Sequence, residues 1–278
     1  PTHYAADNGH EAVINWLAQN GADFNATDED GQTPAYIAAC KNHTAIITAL
    51  RDLGLDLNGQ DTNGNTLAHV AVQRGQVTVI GNLHKYGVSF NSLNRRGEPP
   101  THGISSQNPA AIIQALHKIG AHLNLPDRQG NTLAHLAARK SQVEVIKALH
   151  DAGVDFNIQN NDGDTPIHEA AWEGRAGVLE ALRNAAVNWN IQNEEGHTPL
   201  HVVAMYATAH TQRAAQQENS EDSSTQIPRA SMEDYIQIIS LLREVGADFN
   251  LEDQEGHTAL QVAQEIEATT PLLEALRP

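Results

Sequence analysis

The sequence predicts an all-α array of about eight stacked helix–turn–helix units, and three observations predict it. Gly31, Gly64, Gly97, Gly130, Gly163 and Gly196 recur every 33 residues, and Gly256 follows Gly196 after 60, one period plus 27. The text behind these glycines is nearly constant: DGQTPAYIAA, NGNTLAHVAV, RGEPPTHGIS, QGNTLAHLAA, DGDTPIHEAA, EGHTPLHVVA and EGHTALQVAQ. Each unit also closes on shared text: GADFN, GLDLN, GVSFN, GAHLN, GVDFN, AVNWN and GADFN. A fixed period of this length marks modules that bury their apolar faces only against their neighbours. Residues 1–278 are expected to form one such domain, with 207–231 inserted as a polar loop in the seventh unit.

Each unit begins with a turn at the recurrent glycine. The threonine that follows can cap the first helix, and proline suits that helix's first turn, where its missing N–H has no intrahelical partner to lose. The inner helix carries apolar residues at helical spacing, Ile167, Ala170 and Ala171 in the sixth unit, and the outer helix repeats the pattern with Val178, Leu179 and Leu182. A glycine such as Gly153 then stands where helices commonly end in a left-handed residue. The GADFN-like loop leads on to the next turn. The chain opens on PTHYAADNGH, the same text joined in its middle, so the first unit lacks its turn.

Thr165-Pro166-Ile167-His168-Glu169-Ala170 and Thr198-Pro199-Leu200-His201-Val202-Val203, on a period of 33, resemble the ankyrin repeat family. The resemblance spans the whole chain apart from the insertion. It implies a right-handed, curved solenoid with β-turn or hairpin tips, in which threonine and histidine side chains bond together and brace adjacent units. It also implies that a partner meets the turn tips and the outward residues after the Ala-Ala of each inner helix, which line a concave face.

Composition excludes several function classes. Seventeen Lys and Arg against 34 Asp and Glu give a formal charge of -17, which repels phosphate backbones and anionic lipid, so neither nucleic acid nor membrane is an expected partner. No apolar run approaches the roughly 18 residues of a membrane-spanning helix. The single cysteine, Cys40, permits no internal disulfide and fits a reducing, cytosolic setting. A monomer is expected. The divergent units and the Asn- and Gln-rich character also resemble ankyrin proteins that intracellular bacteria deliver into host cells, without a motif behind that likeness.

The recurrent histidine slot holds His3, His69, His102, His135, His168 and His201, with Tyr36 and Gln261 in the remaining units. A catalytic imidazole need not return every 33 positions, whereas a structural one must. A second series, His84, His117 and His150, falls near outer-helix ends; stacked helices lie about 8–10 Å apart, too far for equivalent rings to share one ion at about 2 Å. These side chains instead complement the helix dipole. HExxH, GxSxG, a phosphate-cradling loop and a complete calcium loop are all missing from the sequence. Cys40 and His43 lie three apart without a positioned third group. No catalytic residue, metal or cofactor is expected.

Recognition therefore falls to the positions that vary between units. Arg74, Arg95, Arg96, Arg128, Arg139 and Lys140 gather on inner-helix ends and tips of the middle units of an acidic chain, and would steer an acidic segment of a partner protein. Gln107 and Glu173 occupy equivalent slots, and Trp172 and Tyr206 would supply apolar anchors. Trp189, in the Phe or Leu place of the closing text, is expected to be buried. The fourth unit has Pro99 for threonine and Gly103 in its inner helix, a candidate bend. Ala186 stands where glycine would take a left-handed turn, at about 1 kcal/mol. Ser231 and Asp234 read as a capping pair that restarts a helix after the insertion. Two other readings fit the same text. The array is the targeting arm of a larger enzyme or bacterial effector, or it is a substrate of asparaginyl hydroxylation at Asn25, Asn157 or Asn250.

Overall fold

The computed structural model describes residues 1–104, 108–207, 230–266 and 268–278. The chain divides into two compact units, Pro1–Arg128 and Gln129–Pro278. Every regular element among the described residues is helical, and one isolated bridge joins Glu252 to Thr258.

In the first unit the inner helices are α1 (Thr2–Asp7), α3 (Pro34–Cys40) and α5 (Leu67–Gln73), and the outer helices are α2 (Glu11–Gln19), α4 (Thr44–Asp52), α6 (Val77–Lys85) and α7 (Pro109–Lys118). The second unit continues with α8 (Leu133–Arg139), α9 (Val143–Asp151), α10 (Pro166–Trp172), α11 (Ala176–Leu182), α12 (199–207), α13 (Met232–Glu244), α14 (Ala259–Glu265) and α15 (Thr270–Ala275). Inner helices pack on inner helices, α1 on α3, α3 on α5 and α8 on α10, while outer helices pack on outer ones, α2 on α4 and α9 on α11. Inner helices approach through alanine: Ala38, Ala39, Ala71, Ala137, Ala170 and Ala171 are fully buried. The layer between inner and outer helices is filled by aliphatics such as Ile46, Leu50, Ile80, Leu83, Ile146, Leu149 and Leu182, each worth roughly 1.5–3 kcal/mol when removed from water.

In the first six repeats the inner element hands over to its outer helix through one left-handed residue: Gly9, Asn42, Gly75, Asn108, Ser141 and Gly174, all between φ 50° and 68°. These too are spaced by 33.

Three departures resolve in particular ways. In the fourth repeat the inner helix is replaced by a 3-10 turn, Pro100–Gly103, whose N-cap Pro99 offers no side-chain bond. Ala186 does not take the left-handed conformation expected of it, because non-glycine positive φ occurs only at Asn42, Asn108 and Ser141 among the described residues. Instead α11 stops after seven residues where α9 runs for nine, and the Ala185 N–H to Leu182 carbonyl and Val187 N–H to Ala185 carbonyl bonds turn the chain without that strain. Beyond the insertion, Ser231 caps α13 as expected: its side chain accepts from the Asp234 N–H while the Asp234 carboxylate accepts from the Ser231 N–H at 2.7 Å. The insertion between Ala207 and Ala230, and Gln107 in the fourth repeat, lie outside the described residues.

Candidate functional site

Turn tips are folded by an aspartate or asparagine three residues before the glycine, as at Asp28. Asp61 Oδ1 accepts the N–H groups of Asn63 and Asn65, and Asn94, Asn160, Asn193 and Asp253 repeat the arrangement. Tips then bond to tips: the Thr62 N–H to the Asp30 carbonyl, Arg95 to Asn63, Asn161 to Gln129 and Glu194 to Asp162. This close approach is why the glycine recurs. At Gly163, φ +77°, an added Cβ would lie 2.5 Å from the Glu194 nitrogen.

The recurrent histidine ties helix to tip. Nδ1 of His168 accepts from the Thr165 N–H at 3.1 Å, so Nε2 carries the proton and donates to the His197 carbonyl at 3.0 Å in the next repeat. His69, His135 and His201 do the same toward Glu98, Asp164 and His257. That reach is 29 residues at His69, His135 and His168 but 56 at His201, so the same bond is kept across the 27 extra residues. Burial drives the pKa of His168 down to about 4 and those of His69 and His201 below the usual range. These rings are neutral struts with both nitrogens engaged. Tyr36, longer than histidine, reaches past the backbone and donates to Asp61 Oδ2 at 2.8 Å. Burial works to raise the Asp61 pKa, but the bonds from Tyr36, Asn65 and Asn63 outweigh it and hold the group below the carboxylate range.

Cys40 and His43 each have other partners. His43 Nε2 bonds to the Asp7 carbonyl at 3.0 Å, and burial pushes the Cys40 thiol up, against the lowering effect of Arg74. His84, His117 and His150 are exposed on the last turns of α6, α7 and α9. Of the asparagines considered for hydroxylation, Asn25 and Asn250 are exposed. The amide of Asn157 is bonded at both ends, to the Ala186 carbonyl and the Asn188 N–H.

The expected recognition residues fall into two groups. In the first unit Arg74, Arg95, Arg96 and Arg128 are all exposed. Arg74 is the C-cap of α5, and Arg95 and Arg96 form the fourth tip. Arg128 stretches back across that tip, its guanidinium donating to the Arg95 carbonyl at 2.5 Å.

In the second unit Lys140 is exposed, but Arg139 is bound to its own fold. Its Nε and a terminal nitrogen grip both oxygens of Glu169, at 2.9 and 2.5 Å, and the Glu169 side chain is only 3% exposed. Glu173 is half-buried and paired with Arg175 at 3.1 Å. Trp172, 40% exposed, meets Tyr206 with ring centroids 5.8 Å apart and planes tilted by 59°; Trp189 is buried, as its slot predicts. The end of α10 is fixed by Tyr235, a fully buried residue whose hydroxyl donates to the Trp172 carbonyl at 2.9 Å. Sequence reading does not find that bond, which joins residues 63 apart across the insertion.

Trp172, Met205 and Tyr206 form one side of a cleft of about 370 Å³ between the sixth and seventh repeats, and the rest of its lining is rich in carboxylates: Asp162, Asp164, Glu169, Glu194 and Glu195. Burial raises the pKa of Asp164, and the charges of Glu169, Asp162 and Glu195 raise it further against a hydrogen bond from Asn193. Trp172 and Tyr206 thus stand among acids, a lining opposite in charge to the arginines of the first unit.

Comparison with known proteins agrees with this geometry. The family model described as ankyrin repeats (3 copies) matches residues 2–94 and 101–193. Among solved structures, the crystal structure of the ankyrin repeat domain of Bcl-3, a member of the IkappaB protein family, superposes with a TM-score of 0.68 at 21% identity, covering 73% of this chain and 92% of that one. A search of curated proteins returns no match. The 33-residue period, the threonine–histidine struts and the bonded tips have one reading: the chain belongs to the ankyrin repeat family.

Proposed function

We propose that this chain is a non-catalytic scaffold that grips a partner protein through its turn tips and the C-terminal ends of its inner helices. Ankyrin repeats are protein-interaction modules. The observation that carries the reading here is a partition of side chains. The recurring residues are consumed by caps, struts and tip bonds, while the irregular ones, Arg74, Arg95, Arg96, Arg128, Lys140 and Trp172, are exposed. In the first unit four exposed arginines face solvent on a chain of net charge -17, a local field that favours an acidic segment of the partner. Chemistry on the protein's own groups has little support, since the buried imidazoles of His69, His168 and His201 are neutral and bonded and the only thiol is harder to ionise than a free one.

Capture from a lysate with the full chain, compared with an Arg95→Glu/Arg96→Glu variant, tests the reading. A partner held by the first and released by the second is the expected result, with affinity falling roughly tenfold or more. Equal capture by both would remove the arginines from the interface.

A further inference from the structure

The cleft between the sixth and seventh repeats has a chemistry opposite to that of the first unit's arginines. Its negative charge is not cancelled from within. Glu169 is answered by Arg139, and His197 Nδ1 lies 3.1 Å from Glu195. Among the described residues, no lysine or arginine forms an ion pair with Asp162, Asp164 or Glu194. Metal does not account for the carboxylates either, because no group of His, Cys, Asp or Glu with ion-holding geometry occurs among those residues. Beside the acids stands the Trp172 ring, pinned through its backbone by Tyr235 and steadied edgewise by Tyr206, with much of its surface in water.

We infer that this cleft receives a basic side chain, lysine or arginine, from an extended segment of the partner protein. Carboxylates and an aromatic face are complementary to the two parts of such a side chain. The aliphatic stem packs on Trp172 and Met205, while the cationic head meets Asp162 and Glu194 and shares the ring's negative face. Anions and fully apolar groups each match only half of the lining. Pre-set anchors lower the ordering cost of binding, and Trp172 is held from two sides before any ligand arrives. The site presupposes that the chain binds proteins, but it does not depend on the arginines of the first unit.

The test is calorimetric titration of the full chain with three short Gly-Ser peptides, one carrying arginines, one lysines and one glutamates. The basic peptides should bind. Trp172→Ala and, separately, Asp162→Asn/Glu194→Gln should each weaken binding roughly tenfold or more. Glu29→Gln/Asp30→Asn, which removes the same charge from the second repeat's exposed tip, should change it little. A matching loss in that control, or unaltered binding in the cleft variants, would reduce the attraction to the general field of an acidic chain and overturn the site. Trp172→Phe keeps an aromatic face and should retain most of the affinity, which separates a lost contact from a disturbed fold. Binding of the acidic peptide alone, abolished by Arg95→Glu/Arg96→Glu, would leave the proposed function standing without this cleft.

Discussion

Acidification should unfold this protein through its buried imidazoles, and His168 shows by how much. In the folded chain its Nδ1 accepts from Thr165 and its Nε2 donates to the His197 carbonyl, so a second proton would break the cap, and burial holds the pKa at about 4. In the unfolded chain the ring takes its proton near 6.5. Between those values the unfolded state binds more protons, so stability rises with pH; the contribution is complete above about 6.5 and falls away toward 4. The gap amounts to about 3 kcal/mol lost by pH 4. His69 and His201 are depressed by burial in the same direction and add to the loss. Asp164, whose pKa burial raises, opposes it, because its folded form takes up a proton first. His168→Gln isolates the effect. Gln261 already fills the equivalent slot in the last repeat, its side-chain oxygen accepting the Thr258 N–H at 2.7 Å without a titrating group. Urea unfolding of both proteins at neutral pH and at pH 4 should show the variant gaining about 3 kcal/mol on the wild type as the solution is acidified. A difference that stays constant across that range would refute the claim that the strut is a neutral ring.

Further outcomes follow from single residues. Gly163→Ala should destabilise well beyond the roughly 1 kcal/mol of a left-handed alanine, because its Cβ would also strike the backbone of the next tip. Gly153→Ala, at φ +73° with open space around it, should cost only that strain, and thermal unfolding of the pair separates the two terms. Ser141→Gly should stabilise by up to about 1 kcal/mol, since Ser141 sits at φ 54° where a side chain is strained. Ser231→Ala should cost about 1 kcal/mol by removing the cap of α13, read as faster amide exchange in that helix's first turn.

The backbone plan of the repeats was legible in the sequence because backbone requirements recur with the backbone. The tip glycines, the threonine–histidine text, the apolar spacing and the buried Trp189 all follow from the period. Two further series on that period carried the same kind of signal: the aspartate or asparagine that folds the tips, and the left-handed residues from Gly9 to Gly174. The second is masked because Asn42, Asn108 and Ser141 break the run of glycines. Ala186 misled for a related reason. A slot that holds glycine elsewhere need not keep the glycine conformation, and ending α11 early avoided it. The pairing of Arg139 with Glu169 and the reach of Tyr235 to Trp172 were illegible. Each runs from a side chain on one helix to a group on another, and neither recurs in another repeat among the described residues.

Glu169 is the departure least easily ascribed to neutral variation. Its slot, one after the histidine, holds Ile37, Val70, Leu136, Val202 and Val262 in other repeats, and here a carboxylate with 3% exposure takes their place. A buried ion pair is commonly no better for stability than apolar residues of similar size, whereas removing one partner costs about 3–5 kcal/mol. Arg139→Ala alone should therefore be strongly destabilising at neutral pH, and Arg139→Ala/Glu169→Val should recover most or all of the loss in thermal unfolding. If stability were the whole purpose, the double variant would lack nothing. But Glu169 lines the cleft that also holds Trp172, Asp162 and Glu194, so an apolar floor there should weaken the arginine peptide while leaving the fold intact. A double variant that is as stable as the wild type and binds that peptide equally well would mean that the buried pair has no part in recognition.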